Sequence, residues 1–168
     1  MNVSMYKASV ASFSKHLHAL DGLLDKAAAY AEAKKIDPSV LLSARLYPDM
    51  FSMKKQVQEA CMFATSAPAR LTGSPVPPSE GDDATIADLK TRIARTQAFL
   101  ATITPEQFTG AAEKTLTLKV GPNDMTFSGE DYLLHFALPN FYFHCSTAYG
   151  ILRHNGLVIG KRDFMRRT

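Results

Sequence analysis

An all-α bundle of four long helices carrying a small β addition is the fold this sequence predicts, on three observations. Apolar residues recur at steps of three and four through most of the chain. The period changes to two only between Lys114 and Phe127, where Leu116, Leu118 and Val120 alternate with polar residues. Proline- and glycine-rich punctuation separates the periodic stretches, and no internal repeat is present.

The elements follow in order. Val3, Tyr6, Val10, Phe13, Leu17, Leu20, Leu24, Ala27 and Ala31 form one long apolar ridge, with His16 and His18 flanking Leu17 at the margin or in solvent. Asp37-Pro38 opens a short helix through about Leu46, the aspartate as cap and the proline in the first turn. Tyr47-Pro48 interrupts it, since the residue before a proline is pushed out of the helical region. Asp49 then caps a second long helix to Ala64, with Met50, Met53, Val57, Cys61 and Ala64 inward and Ser52, Gln56 and Glu59 on its polar side.

The run TGSPVPPSEG, Thr72 to Gly81, has no periodicity and reads as a crossover loop. Asp83 or Thr85 opens the third long helix, which keeps Ile86, Leu89, Ile93, Leu100 and Ile103 inward and Lys90, Arg92 and Arg95 on a solvated face. A two-stranded hairpin follows, turning at GPND and leaning on the helices through Leu116, Leu118 and Phe127, because two strands alone are barely stable. Ser128 or Gly129 starts a short helix to about Ala137. The last long helix spans roughly Pro139 to His154 and ends at Asn155-Gly156. Its apolar residues cover most of its circumference, which predicts a helix enclosed by the others, with Asn140 and His144 one turn apart as its inward polar pair.

Composition bounds the function. At 168 residues the chain fits one domain, residues 1–168, able to hide roughly two-thirds of its unfolded surface without a metal or disulfide. No apolar run approaches the ~18 residues that cross a bilayer, and the N-terminus is a periodic helix with none of the blocks of an export signal, so the expectation is a cytoplasmic protein. Cys61 and Cys145 lie among apolar neighbours and read as buried thiols. A net charge of +3, with Lys161, Arg162, Arg166 and Arg167 in the tail, offers no basic face with interleaved aromatics, so nucleic acid is not an expected partner.

The stretches ARLYPDMF, LPNFYFH, LRHNG and GKRDF, at 44–51, 138–144, 152–156 and 160–164, together resemble an uncharacterised branch of the DinB-like superfamily, and the likeness covers nearly the whole chain. The resemblance implies a DinB-like four-helix bundle with a small β-hairpin before the last helix, often a homodimer, related to metal-dependent thiol transferases and isomerases. In better-known members three histidines hold a divalent metal, one from the second helix and two from an HxxxH pair on the last. His144 matches the second histidine of that pair, Asn140 stands in place of the first, and the second helix contains no histidine.

A carboxamide is a poor donor to zinc or nickel, so the resident cofactor expected is none; Asp49, Asn140 and His144 are the set that a divalent metal such as zinc or nickel would use otherwise. The ligand-pocket candidates are Asp49, Gln56, Asn140 and His144, with His144 the candidate catalytic residue. A buried imidazole must satisfy its ring nitrogens, so a hydrogen-bonded polar cluster is the plainer role for His144. His154 suits the C-terminal end of its helix, and His135 faces either the same cavity or solvent. The expected function is a homodimeric small-ligand binding or interaction protein that has lost the three-histidine metal site. The alternative is an enzyme, metal-dependent or using His144 as a metal-free general base.

Overall fold

The computed structural model describes residues 4–79 and 81–165, so the Val3 end of the first ridge and the Arg166-Arg167 tail lie outside the described residues. The first helix begins as a π-helical turn, Lys7–Ala11, and continues as α1, Ser12–Lys34. The expected ridge is inward, with Phe13, Leu17, Leu20, Leu24, Ala27 and Ala31 all buried. Asp37 caps α2, Pro38–Ser43, accepting from the Ser39 N–H at 2.9 Å. This helix ends three residues short of the expected Leu46.

The largest departures come next. Asp49 is not a cap: it lies exposed in a turn whose Met50 carbonyl accepts from Arg45. Ser52 caps α3, Met53–Thr72, by accepting from the Lys55 N–H at 3.4 Å. The helix also runs past Ala64 with Pro68 inside it. An interior proline costs about 3 kcal/mol. Burial of Ala67, Ala69 and Leu71 around it offsets that cost and carries the helix on to Gly73, whose left-handed φ of 78° ends it.

Thr85 and Asp88 form a reciprocal capping box for α4, Ile86–Ala101. Lys90 is not simply solvated; it pairs with Asp25 and, at 3.2 Å, with Asp21, tying α4 to α1. The hairpin forms as expected, β1 Thr115–Val120 against β2 Asn123–Ser128 in antiparallel register Leu116↔Phe127. Gly121, with φ 59°, supplies the left-handed first position of its two-residue turn.

Ser128 caps α5, Gly129–Asp131, which passes without a break through a π-helical segment, Tyr132–Ala137, into α6, Leu138–His154. The expected helix start at Pro139 is therefore absent: Ala137 and Leu138 are both helical. A proline ring collides with the carbonyl four residues back, and the wider π turn, with Leu138 N–H bonded to Leu133 O, relieves that collision. A last short helix, α7 Lys161–Met165, returns to α1 through the Lys26–Asp163 ion pair at 2.5 Å. α3 rather than α6 proves the most enclosed helix, since Phe143 on α6 is 54% exposed.

Two glycines separate close packing from conformational cost. At Gly129 an added Cβ would stand 1.8 Å from the Ala111 carbonyl oxygen, so the backbone must shift. Gly22, inside α1, has nothing within 4 Å. In urea denaturation Gly129→Ala is expected to lose about 3 kcal/mol or more through overpacking. Gly22→Ala is expected to gain about 0.5–1 kcal/mol, the usual helix-interior difference.

Candidate functional site

The N-terminal half of α3 and the first two turns of α6 bring Gln56 and His144 together. Gln56, only 1% exposed, sits on the expected polar side of α3, yet Ala60, Phe63 and Ala67 follow it at helical spacing and turn that stripe inward. His144 is 7% exposed, and its Nδ1 lies 2.7 Å from Gln56 Oε1. The Gln56 amide is oriented by Nε2 donating to the Phe51 carbonyl at 3.3 Å, which leaves Oε1 toward the imidazole. His144 Nδ1 therefore carries the proton, and Nε2 keeps its lone pair.

Aromatic rings surround this pair. Phe51 and Phe63 lie within about 20° of parallel to the imidazole, at 6.4 and 5.8 Å between centroids, and Phe143 meets it edge-on at 5.5 Å. The Lys55–Glu59 ion pair, 2.6 Å, borders the site, with Lys55 Nζ 5.7 Å from the Phe51 ring centre. Burial lowers the His144 pKa from its ordinary value; Glu59 opposes that shift and Lys55 adds to it.

The other candidates are placed differently. Asn140 turns its amide onto its own helix, Nδ2 donating to Phe136 O at 2.7 Å, and Asp49 stays exposed on its turn. Among the described residues no three His, Cys, Asp or Glu side chains converge as metal ligands. One imidazole with two carboxamides, each bonded to a backbone carbonyl, is a poor fit to zinc or nickel. His135 faces solvent, 3.9 Å from Asp131, and His154 is exposed in the last turn of α6. His16 is half-buried, its ring 4.9 Å from Tyr142. Both cysteines are free and buried; burial pushes the Cys61 thiol up to about 12 and raises Cys145 as well, so neither is a ready nucleophile.

Sequence reasoning did not single out the apolar surface beside His144. Leu46, Tyr47, Phe51 and Phe143 are 44%, 65%, 48% and 54% exposed. Leu46 also reaches α6, its Cδ1 3.7 Å from where a Cβ on Gly150 would be. The aromatic content of ARLYPDMF was the available signal.

This architecture, a helical bundle with a hairpin before its last long helix, defines a DinB-like protein. Over 98% of its length the chain superimposes with TM-score 0.86 on a crystal structure of a DinB family member protein from Shewanella denitrificans, at 38% identity and covering 93% of that chain. The family model of a domain of unknown function, DUF1993, matches residues 5–165, and the chain belongs to that family. No protein of curated function matches it. Among the described residues no helix is long and apolar enough to cross a membrane.

The pH response of the site has a definite sign. Because His144 titrates below its ordinary 6.5 when folded, the unfolded chain takes up this proton first on acidification. The contribution to stability is complete above that value and is lost as the pH falls from there through the folded value. His144→Gln is expected to remove that loss, so the difference between wild-type and variant unfolding free energies should change between about pH 7 and pH 5.

Proposed function

We propose that this DinB-like chain is a cytoplasmic binding and interaction protein in which the superfamily's three-histidine metal chemistry has been lost. The observation that carries the proposal is the His144–Gln56 pair: an imidazole oriented by an amide and kept neutral by burial, its Nε2 a hydrogen-bond acceptor, among aromatic rings at the edge of an exposed apolar face. Such a group receives an N–H or O–H from a ligand with a flat apolar body. It offers no cage for a cation.

The same face supports a homodimer. Leu46, Tyr47, Phe51 and Phe143 are large apolar side chains left partly in water, and a second copy presenting the same residues about a two-fold axis would cover both sets at once. Free, buried thiols accord with a reducing compartment.

A second reading is favoured by one feature. A histidine oriented through Nδ1, with Nε2 unprotonated and the pKa lowered, has the form of a general base. In that case the chain is an enzyme acting without a metal.

Three measurements decide among these. Light scattering should give a dimer for the wild type and a monomer for Phe143→Ser; a wild-type monomer removes the homodimer. Untagged protein should carry only traces of zinc and nickel, the same in His144→Ala. Stoichiometric metal lost in that variant would replace the proposal with a metalloenzyme. A thermal-shift screen of thiols and small carboxylates should find ligands whose stabilisation depends on His144; turnover of such a ligand would establish the general-base enzyme instead.

A further inference from the structure

Thr65 faces away from Gln56 on α3, and on that far side a cavity of about 80 Å³ opens between α3, α4 and the segment Pro77–Ser79. Its polar lining includes Thr65, Ser79, Arg92, Arg95 and Thr96. Such a volume admits a group the size of a carboxylate or a phosphate.

Arg92 builds the rim. Its Nε lies 2.6 Å from Asp83 Oδ2, its Nη2 donates to Gly81 O at 3.1 Å, and its Nη1 donates to Ser79 Oγ at 2.7 Å. The Arg92–Asp83 pair is only 10% and 9% exposed, so this loop is clasped onto α4 and the Arg92 charge is balanced. Asp83 is held at a left-handed φ of 48°, a conformation that a non-glycine residue keeps only when its surroundings impose it.

The clasp decides which donors remain. Ser79 Oγ accepts from Arg92, and its own hydroxyl proton is left to point elsewhere. Thr65 and Thr96 donate theirs to the Cys61 and Arg92 carbonyls. Arg95, one turn beyond Arg92, also lines the cavity, and no carboxylate among the described residues pairs with it. Arg95 and Ser79, both exposed at the mouth of the same cavity, are donors of the kind that small oxyanions accept.

We propose that this cavity is an oxyanion subsite, separate from the His144 face, in which Arg95 binds a small carboxylate or phosphate group and Ser79 donates one further hydrogen bond. Isothermal titration calorimetry of the full chain with inorganic phosphate and, separately, with acetate at constant ionic strength tests it. At least one anion should bind saturably at one per chain. Binding should weaken by about tenfold or more in Arg95→Gln, the scale of one lost charge-assisted bond. It should weaken a few-fold in Ser79→Ala, and stay unchanged in Lys119→Gln, which removes equal charge from the exposed hairpin. Which anion saturates identifies the class of ligand. No saturable heat with either anion, or equal losses in the Arg95 and Lys119 variants, would overturn the subsite.

Discussion

The close contact of α3 with α6 is the constraint on which the rest of the structure depends. Ala60, Ala64 and Ala67 on α3, with Cys145 and Ala148 on α6, are all essentially removed from solvent. Small residues at such a crossing let the helix axes approach, and close packing at crystal-like density is then unavoidable. The larger core groups gather at its margins, where Phe13 of α1 meets Phe141 of α6 edge-to-face at 4.7 Å. Gln56 and His144 are brought together by this approach, and neither alone would tolerate the burial.

The same constraint explains the irregular entry to α6. The chain must carry Tyr132, Leu133 and Ala137 into the core and then Phe141, with Pro139 in between. A regular α-helix would drive the proline ring into a carbonyl; a break would swing Phe141 away from Phe13. The π-helical segment keeps direction while opening the spacing, and Asn140 satisfies the Phe136 carbonyl through its side chain. Asn140 thus serves the backbone one turn before His144.

Much of this was legible in the sequence, but unevenly. α1 and the hairpin have one buried and one open face, and a single period reports them. α3 is buried on two sides, so the ridge Met53, Val57, Cys61 and Ala64 was visible while the second stripe, Gln56, Ala60, Phe63 and Ala67, passed for a polar face because it begins with a glutamine. Asp49 and Ser52 are both capping residues three positions apart, and composition alone does not say which backbone turns into the helix. Arg92 belongs by period to the solvated face of α4; only the path of an aperiodic loop places Asp83 beside it. Phe143 belongs to the apolar circumference of α6 that predicts an enclosed helix, yet it is left 54% exposed.

The chemistry of the Gln56–His144 pair also bears on what sits against it. A carboxylate in place of Gln56 would favour the charged imidazolium, and a buried ion pair loses more hydration than it recovers unless every remaining proton is bonded. An amide asks for no charge. It accepts one proton from Nδ1 and donates its own to the Phe51 carbonyl, leaving a neutral unit within a ring of phenyl groups. Such a surface can be covered by another apolar surface at little electrostatic cost, which a metal site with an open coordination position or a charged dyad could not. The Asn140 amide, turned onto the Phe136 carbonyl, and the Gln56 amide, which meets His144 from α3, are both neutral groups.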